Sequence, residues 1–395
     1  MLAMSAVETV KTVVQDYQPE PRILELTELF RRMVNHSIAV GLENGVTSMK
    51  MLSLASYHGL KTFKTNSRYR LCAISRAAGI LKNYRNLSKR HRVRTPYCRR
   101  AGLMICYGLK VNDDGILCLP GGFHISLNKY VSRVLSQPGL RLHSATLTDS
   151  TLSITFSKET PIVECKGMIG VDKNLYNITG VDSLGNTLVY NTARLVAVNT
   201  AARQTVARFK RDDKRIRRRI ATKYGRIQRH RTQWLLHNIS KKLVNHASAN
   251  SLGIVLENIT GIRRLYRKGN GQGTSYRGRL NTWPFHQLDH QVSYKMSWIG
   301  LPVIRVNPKG TTSNCSVCGD RMVFSKESRM LRCPSCGYHV DRDVNAPRNI
   351  LSAGLRLRMS GLARFGPKGL SVEAVKGNPT TMVIPGVDDS QPSLD

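Results

Sequence analysis

The chain has 395 residues, of which 41% are hydrophobic and 22% are charged, so it should fold around a sizeable core. Its 61 lysine and arginine residues against 25 acidic residues give a formal net charge of +36. An enzyme for small metabolites has little reason to carry so much mutually repelling positive charge. A polyanionic partner would offset this charge, and nucleic acid is favoured over an anionic membrane. No apolar run is long enough for a membrane span, and the first 21 residues lack a signal-peptide pattern.

The N-terminal part begins with a short predicted strand at Thr9–Val14, followed by a helical pattern from Pro21 to about Arg100. Residues 61–100 contain 13 lysine or arginine residues and no acidic residue, whereas an ordinary solvated face mixes both signs, so contact with phosphate groups is favoured. The interleaved tyrosines, Tyr69 among them, either stack on bases or pack beneath the helices. The candidate nucleic-acid contacts here are Arg68, Arg70, Arg90, Arg92 and Arg94.

Between about 101 and 160 the period of the apolar residues changes to two, as in the alternation of Leu152, Ile154 and Phe156. The segments GILCLPGG and HISLN are predicted to be further short strands between turns. A small antiparallel β-domain is therefore expected, and the basic helical segment either precedes it or is inserted into it.

From residue 167 onward the predicted order is three strands, helix, strand, helix, strand and helix, which is the order of an RNase H-like α/β fold. The predicted strands are GMIGV ending at Asp172, YNITGV, TLVY, GIVLE at 253–257 and PVIRV at 302–306, and the helices cover about 193–248, 284–299 and 343–358. The glycine-rich segment 269–278 lacks the ending of a phosphate-binding loop and is interpreted as a mobile loop near the site.

Three carboxylates occupy the ends of these elements: Asp172 and Glu257 end apolar strands, and Asp343 begins the last helix. Singly, each has an ordinary explanation, since a strand-end aspartate is often a turn residue and Asp343 or Asp341 is well placed to cap a helix. Together they fall where this fold gathers carboxylates at one edge of the central sheet. Such a cluster repels itself unless divalent metal neutralises it, and Mg²⁺ prefers oxygen ligands, so a two-magnesium nuclease site is predicted.

Nine cysteines in a chain of this length do not indicate a secreted disulfide scaffold, and a reducing compartment is expected. Four of them form two CxxC pairs, each followed directly by a glycine, which is the spacing of a two-knuckle zinc ribbon. Four thiolates leave no open position on the metal, so a structural Zn²⁺ is predicted, with disulfide pairing as the alternative. The predicted zinc ligands are Cys315, Cys318, Cys333 and Cys336.

The predicted long helix contains a second strongly basic stretch. Residues 203–242 have 15 lysine or arginine residues against two acidic ones, Asp212 and Asp213. A helix with this charge density favours contact with a nucleic-acid backbone. The candidate contacts are Arg215, Arg217, Arg218 and Arg219.

At these residues the sequence resembles the TnpB (OrfB) family, the RNA-guided endonucleases of insertion sequences that are related to type V CRISPR effectors. The matching segments, within about residues 165–355, are GVDKNLYNITGV, IVLENITGIR, TWPFHQLDHQVSYKMSWIGLPVIRVNPKGTTSNCSVCG and CPSCGYHVDRDVNAPRNIL. The resemblance implies a RuvC-type, RNase H-like α/β nuclease domain with an inserted zinc ribbon, preceded by an antiparallel β-barrel wedge domain with a helical insert. It also implies that Asp172, Glu257 and Asp343 are the catalytic Mg²⁺ ligands.

Asp343 is preferred to Asp341 as the third ligand because it precedes the x-Asn-Ala of the family motif. Two departures from the family pattern bear on activity. Proline at position 347 replaces the second alanine of the usual Asn-Ala-Ala, and a proline in the first helical turn is tolerated because amides there lack partners in the helix. Lys173-Asn174 stands where many members have an apolar residue and glycine. Neither departure removes a carboxylate, so cleavage is expected to be retained.

The resemblance implies an RNA-guided, Mg²⁺-dependent endonuclease of transposon origin that cleaves double-stranded DNA next to a short adjacent motif. Its expected partners are a guide RNA and duplex DNA but no membrane, and the protein is expected as a monomer or dimer on RNA in the cytoplasm of a prokaryotic host, associated with the nucleoid. The alternatives are a cleavage-deficient RNA-guided repressor and a guide-independent nuclease or transposase accessory protein. The predicted domains are the wedge (1–20 and 101–164), helical insert (21–100), nuclease domain (165–310), ribbon (311–340), final nuclease helix (341–360) and disordered tail (361–395).

Overall fold

The computed structural model describes residues 6–209, 213–259, 271, 273–324, 329–360 and 383–384. These residues form two compact units: the first contains residues 8–159 and 383–384, and the second contains residues 6–7 and the described residues from 160 to 360. The tail predicted from residue 361 lies outside the described residues except for positions 383–384. None of the helices in the described residues is both long and apolar enough to cross a membrane.

The first unit contains a bundle of three helices. Strand β1 (Ala6–Asp16) leads into α1 (Pro21–Glu43), α2 (Met49–Leu60), a 3-10 turn (Lys61–Phe63) and α3 (Ser67–Ser88). The apolar residues of α1 that recur at helical spacing, from Ile23 to Val34, are buried, which confirms the predicted helix. Tyr69 of α3 is also buried, and its hydroxyl donates to the Pro120 carbonyl at 2.6 Å, so this tyrosine packs beneath the helices rather than on a base-stacking surface.

The helical pattern predicted to about Arg100 was too long, because α3 ends at Ser88 and no helix or strand covers residues 89–102. The segment 89–94 contains four lysine or arginine residues and one apolar residue. A further helical turn there would bring like charges together without an apolar face to bury.

Two sheets complete the first unit. The further elements are β2 (Leu103–Ile105), β3 (Lys110–Val111), β4 (Ile116–Leu119), β5 (Phe123–Ser126), α4 (Lys129–Leu135), β6 (Leu140–Leu147), β7 (Thr151–Pro161) and β16 (Val383–Ile384). One sheet has the order β16-β1-β7-β6-β2, and the other has the order β3-β4-β5. The predicted alternation is present in β7, where Leu152, Ile154 and Phe156 are buried. The predicted barrel is not confirmed, because the described strands lie in two separate hydrogen-bonded sheets.

The second unit is a mixed sheet with helices. Its strands are β8 (Gly167–Lys173), β9 (Asn177–Asp182), β10 (Thr187–Asn191), β11 (Leu252–Glu257) and β12 (Val303–Val306), in the order β10-β9-β8-β11-β12. β8, β9 and β10 pair antiparallel, whereas β8, β11 and β12 pair parallel. All five strands match those predicted from the sequence. The helices are α5 (Ala193–Ala207), α6 (Lys214–Ala249), α7 (Thr274–Thr282), α8 (Phe285–Trp298) and α9 (Arg342–Met359).

The interpretation of the glycine-rich segment 269–278 as a loop was wrong for its second half. Residues 274–278 of the segment form the first part of helix α7. Positions 269, 270 and 272 of that segment lie outside the described residues. Tertiary contacts fix α7: Leu280 is buried, and the Arg279 guanidinium donates to the Tyr176 hydroxyl at 2.5 Å. Neither contact is visible in the local sequence.

Helix α9 packs directly on β8. A Cβ atom at Gly170 of β8 would collide with the Pro347 carbonyl and the Leu351 amide, so only glycine allows this close approach. The sequence analysis placed Pro347 in the first turn of α9. The proline lies beyond that turn, because the helix begins at Arg342. The proline therefore removes the amide that would have bonded to the Asp343 carbonyl.

A three-stranded antiparallel sheet precedes α9. Its strands are β13 (Val323–Phe324), β14 (Met330–Arg332) and β15 (His339–Asp341). The small core beneath it consists of Cys315, Met322, Leu331, Cys333 and Val340. A core of five residues buries little apolar surface.

Candidate metal centres and nucleic-acid surfaces

Asp172 and Glu257 lie at the ends of two neighbouring parallel strands. In the register of β8 and β11, Val171 is opposite Leu256, so the two carboxylates follow one step later on adjacent strands. Both residues are buried, with 8% and 7% of their surfaces exposed. Two carboxylates are therefore held close together with little water around them.

Asp343 lies in the first turn of α9, and its backbone amide donates to the Asp341 carboxylate at 2.7 Å. Asp341 thus caps the helix, while Asp343 faces the strand ends. The Asn174 amide nitrogen donates to Asp172 at 2.9 Å and to Asp343 at 3.2 Å. One side-chain amide therefore bridges both aspartates, and Asn177 donates to the second oxygen of Asp343 at 2.7 Å.

Arginines also approach Asp343. The Arg329 guanidinium lies 2.5 Å from an Asp343 oxygen, although 63% of the arginine side chain is exposed. The Arg342 guanidinium is 3.8 Å from the other oxygen. Two arginine guanidinium groups and two asparagine amides therefore surround the Asp343 carboxylate.

The pKa values of the other two carboxyls are raised. Burial, then the negative charge of Glu257, raises the pKa of Asp172 to about 6, against opposing hydrogen bonds from the Lys173 amide and Asn174. Burial also raises the pKa of Glu257, although a hydrogen bond from the Thr311 hydroxyl, at 2.7 Å, and the positive charge of Lys173 oppose it. Two buried acids with raised pKa values in one cluster are typical of functional sites.

The donor set fits Mg²⁺ in its chemistry, since all three predicted ligands supply carboxylate oxygen. The three acids do not form a tight set for a single ion, because the four cysteines are the one group of three or more acidic, histidine or cysteine side chains in the described residues whose ligand atoms all lie within 4.8 Å of one another.

Five side chains around the carboxylates escaped the sequence analysis. Four of them donate hydrogen bonds to the acids, namely Asn174, Asn177, Thr311 and Arg329, and the fifth, Asp289, pairs with Lys173, the residue after Asp172. The two asparagines lie inside the quoted motif GVDKNLYNITGV, so their polar side chains next to the first aspartate were a usable signal. The other three are far from the acids in sequence, and only the fold reveals them.

The four predicted cysteines form one cluster. The Sγ atoms of Cys315 and Cys336 are 3.7 Å apart, and those of Cys318 and Cys333 are 3.4 Å apart. These separations are far longer than a disulfide bond and close to the edge, about 3.8 Å, of a zinc–thiolate tetrahedron with 2.3 Å bonds. Gly319 and Gly337 adopt positive φ angles after each pair, as the knuckle turns require. The cluster fits a structural zinc ion.

Most of the basic candidates lie on exposed surface, and they occur in both units. On α6, Arg215, Arg218 and Arg219 are exposed and Arg217 is half-buried, and no residue between 214 and 231 forms an ion pair with a described residue. Arg90, Arg92 and Arg94 are exposed on the irregular segment after α3. Unpaired cations on a protein of this charge are available to phosphates.

The other two candidates on α3 differ from each other. Arg68 is exposed, whereas Arg70 is half-buried and its guanidinium lies 5.2 Å from the centre of the Tyr57 ring. Tyr57 therefore engages Arg70 already, and Arg68 is the freer of the two for a ligand.

Comparison with known proteins gives one family match. The family described as Cas12f1-like, TNB domain, matches residues 285–350, which contain α8, β12, the cysteine cluster and the start of α9. A TnpB-like protein of Methanocaldococcus jannaschii is 29% identical over 208 residues, covering 51% of this chain and 73% of that protein. A protein of Streptomyces pristinaespiralis, named a putative RNA-guided DNA endonuclease, is 31% identical over 150 residues, covering 38% of this chain and 34% of that protein.

A solved structure shares the fold. The Cas12f1 chain in a cryo-EM structure of the Cas12f1–sgRNA–target DNA complex has a TM-score of 0.55 at 12% identity, over 84% of this chain and 83% of that chain. The resemblance to the TnpB family and to Cas12 effectors, stated from the motifs, is confirmed by these matches. The chain has the mixed α/β fold of Cas12 effectors, and its relatives include proteins named as RNA-guided DNA endonucleases.

Proposed function

We propose that this chain is an RNA-guided, Mg²⁺-dependent DNA endonuclease whose active site consists of Asp172, Glu257 and Asp343. The observation that supports the proposal most strongly is the burial of three carboxylates at the ends of β8, β11 and the start of α9. A buried cluster of like charges costs free energy unless a cation neutralises it. By resemblance to the TnpB family, we propose that the five-stranded sheet belongs to a RuvC-type RNase H fold, in which such carboxylates hold catalytic metal.

The three carboxylates would hold the metal, and bound Mg²⁺ would activate water and stabilise the leaving oxygen of a phosphodiester. Asn174 and Asn177 orient the two aspartates through their amide hydrogen bonds, and Thr311 orients Glu257. The zinc ribbon supports the third ligand from outside: Asn345, two residues after Asp343, donates to the Asn314 carbonyl at 2.7 Å and accepts from the Ser316 amide at 3.1 Å.

The charge of the chain supports RNA and DNA as partners. By resemblance, a guide RNA pairs with the target strand, so base pairing and not side chains selects the sequence, and the protein recognises a short adjacent motif in duplex DNA. The arginines of α6 and of the segment after α3 are proposed to contact phosphates. We further propose that the wedge strands form part of a barrel, that the protein acts as a monomer or dimer on RNA, and that it works at the nucleoid.

The decisive experiment begins with the RNA that copurifies with the full chain at low salt. One dominant RNA species is expected, and its sequence defines a target for a supercoiled plasmid with randomised flanking bases. With Mg²⁺, the complex should linearise the matched plasmid and leave an unmatched plasmid intact. Replacing Asp172 by alanine should stop cleavage and preserve plasmid binding in Ca²⁺.

The alternatives give different results in the same assay. A cleavage-deficient repressor would bind the matched plasmid and cut nothing in any metal. A guide-independent nuclease would cut both plasmids after nuclease treatment of the protein had removed the RNA. Either outcome would overturn the corresponding part of the proposal.

A further inference from the structure

A lysine is buried next to the first carboxylate. The Lys173 side chain has no exposed surface, and its ammonium group lies 2.6 Å from a carboxylate oxygen of Asp289 on α8. Asp289 itself is 16% exposed at its side chain and has no other hydrogen bond or ion pair with a described residue. Because a buried ammonium without a counterion is very costly, these two residues must be considered as a unit.

This pair lies beside the proposed metal site, because Lys173 directly follows Asp172 in β8 and its backbone amide donates to the Asp172 carboxylate at 2.9 Å. Both members act on Glu257: the positive charge of Lys173 lowers the pKa of that carboxyl, and the negative charge of Asp289 raises it. Asp289 is therefore a fourth acid whose charge acts on Glu257, although its own contact is with Lys173. Asp172 and Glu257 accept hydrogen bonds from neutral groups, namely Asn174, the Lys173 amide and Thr311. Asp343 accepts from Asn174, Asn177 and the Arg329 guanidinium. The side chain of Asp289 is held by the Lys173 ammonium group.

We propose that Lys173 is a positioning residue that withholds Asp289 from the metal site and fixes a positive charge next to Glu257. The inference rests on the proposed metal site at Asp172, Glu257 and Asp343. Lys173 thereby lowers the affinity of the site for divalent cations. Lys173 belongs to the Lys173-Asn174 departure from the family motif, so this departure would tune metal binding. The role is electrostatic, since the ammonium reaches Asp289 and donates to no other described residue.

The charges predict a specific order among variants. Replacing Lys173 by methionine, which has similar length, removes the cation and leaves Asp289 free to join the cluster, so the site gains one net negative charge. Replacing Asp289 by asparagine leaves Lys173 unpaired, so the site loses one negative charge. The double variant restores the original net charge. A unit charge within a few ångströms of a divalent cation changes affinity by about tenfold or more even when heavily screened.

The experiment is a titration of Mn²⁺, followed by electron paramagnetic resonance of the free ion, on the full-length, zinc-loaded, RNA-free chain. Lys173→Met should tighten Mn²⁺ binding by about tenfold or more, and Asp289→Asn should weaken it by about tenfold. The double variant should return to within about threefold of the unchanged protein. Thermal unfolding is recorded in parallel, because both single variants break the same ion pair and should both lower stability.

A purely structural role would make both single variants weaken Mn²⁺ binding together with stability, and that result would overturn the inference. Equal Mn²⁺ affinity in all four chains would overturn it as well. Asp172→Asn separates this inference from the proposed function. If Asp172→Asn leaves Mn²⁺ binding unchanged, the carboxylate metal site itself is wrong. If it abolishes binding while the order of the Lys173 and Asp289 variants fails, only the role of Lys173 is wrong.

Discussion

The two candidate metal centres of the second unit are built in opposite ways. The cysteine cluster comes from one short segment, residues 315–336, whose knuckle turns bring four soft thiolates to tetrahedral distances. The carboxylate cluster draws on residues 172, 257 and 343, and needs a parallel strand pair and a packed helix to assemble. One centre is encoded by local spacing, and the other by topology.

The difference extends to energetics. The ribbon has a small core, so its metal should supply folding free energy. The carboxylates lie in a sheet with a large core of its own, and their mutual repulsion works against that fold. Metal should therefore be a requirement for structure at the cysteines and a requirement for chemistry at the carboxylates.

The largest effect should come from the carboxylates. Asp172→Ala, Glu257→Ala or Asp343→Ala should each lower cleavage of the matched plasmid by about 10³-fold or more, because the ligands that hold the metal are lost. Zinc content, measured by atomic emission, should stay unchanged. A simultaneous loss of zinc would show that the two centres are not separable.

Asp341→Asn is the matched control for Asp343. Asp341 is also an acid at the start of α9, but its carboxylate caps the helix, and asparagine preserves a cap. Cleavage by this variant should remain within about tenfold of the unchanged protein. Loss of cleavage in Asp341→Asn with activity retained in Asp343→Ala would mean that Asp341, and not Asp343, is the third metal ligand.

The second effect concerns zinc. Cys333→Ser should release about one zinc ion per chain, unfold the ribbon and lower solubility, since the metal replaces a core there. Cleavage should fall too, because Asn345 ties α9 to the ribbon. Cys98→Ser is the control, since Cys98 lies outside the cluster and should keep zinc bound. Unchanged zinc content in Cys333→Ser would refute the ribbon.

A smaller effect should appear at the link between the centres. Asn345 is fully buried, and both ends of its side-chain amide bond to the ribbon segment. Asn345→Ala should cost about 1–3 kcal/mol of stability, because a fully buried side chain loses both hydrogen bonds and the half-buried Ser316 amide loses its partner, while the Asn314 carbonyl keeps the hydrogen bond from Asn349. Chemical denaturation measures this cost. Zinc should stay bound, and a loss of zinc in this variant would mean that α9 supports the ribbon, and not the reverse.

The contrast between local and topological encoding also explains what the sequence revealed. The cysteine spacing predicted its cluster, and the apolar runs ending at Asp172 and Glu257 predicted two strands that pair in parallel. The sequence did not predict the ion pair between Lys173 and Asp289 or the hydrogen bond between Thr311 and Glu257. These residues are far apart in sequence and meet only through the packing of α8 and of the segment after β12. The end of α3 and the depth of Pro347 in α9 were misjudged, since helix ends depend on charge repulsion and capping that the apolar period does not report.

The smallest effect tests the free-energy cost of ionising Asp172 in the folded chain without Mg²⁺. The pKa of Asp172 is raised to about 6, so its ionised form destabilises the metal-free fold above that pH. Asp172→Asn should therefore raise stability at pH 8 by about 1 kcal/mol, less than the full shift because one hydrogen bond is lost. The gain should shrink as the pH falls through 6 towards 4, where the native carboxyl is protonated, and thermal unfolding without Mg²⁺ measures it.

Asp182 provides the matched control on the same sheet. It is also buried, but hydrogen bonds from Asn186, His246 and the Leu184 amide outweigh the effect of burial and lower its pKa. Asp182→Asn should therefore lower stability at pH 8, the opposite sign from Asp172→Asn, because an ionised carboxylate with a lowered pKa stabilises the fold above its unfolded pKa. Adding Mg²⁺ should reverse the order only at Asp172, since metal stabilises the chain that retains this ligand. If both variants destabilise the metal-free chain equally, Asp172 is an ordinary structural acid, and its ionised carboxylate does not destabilise the fold.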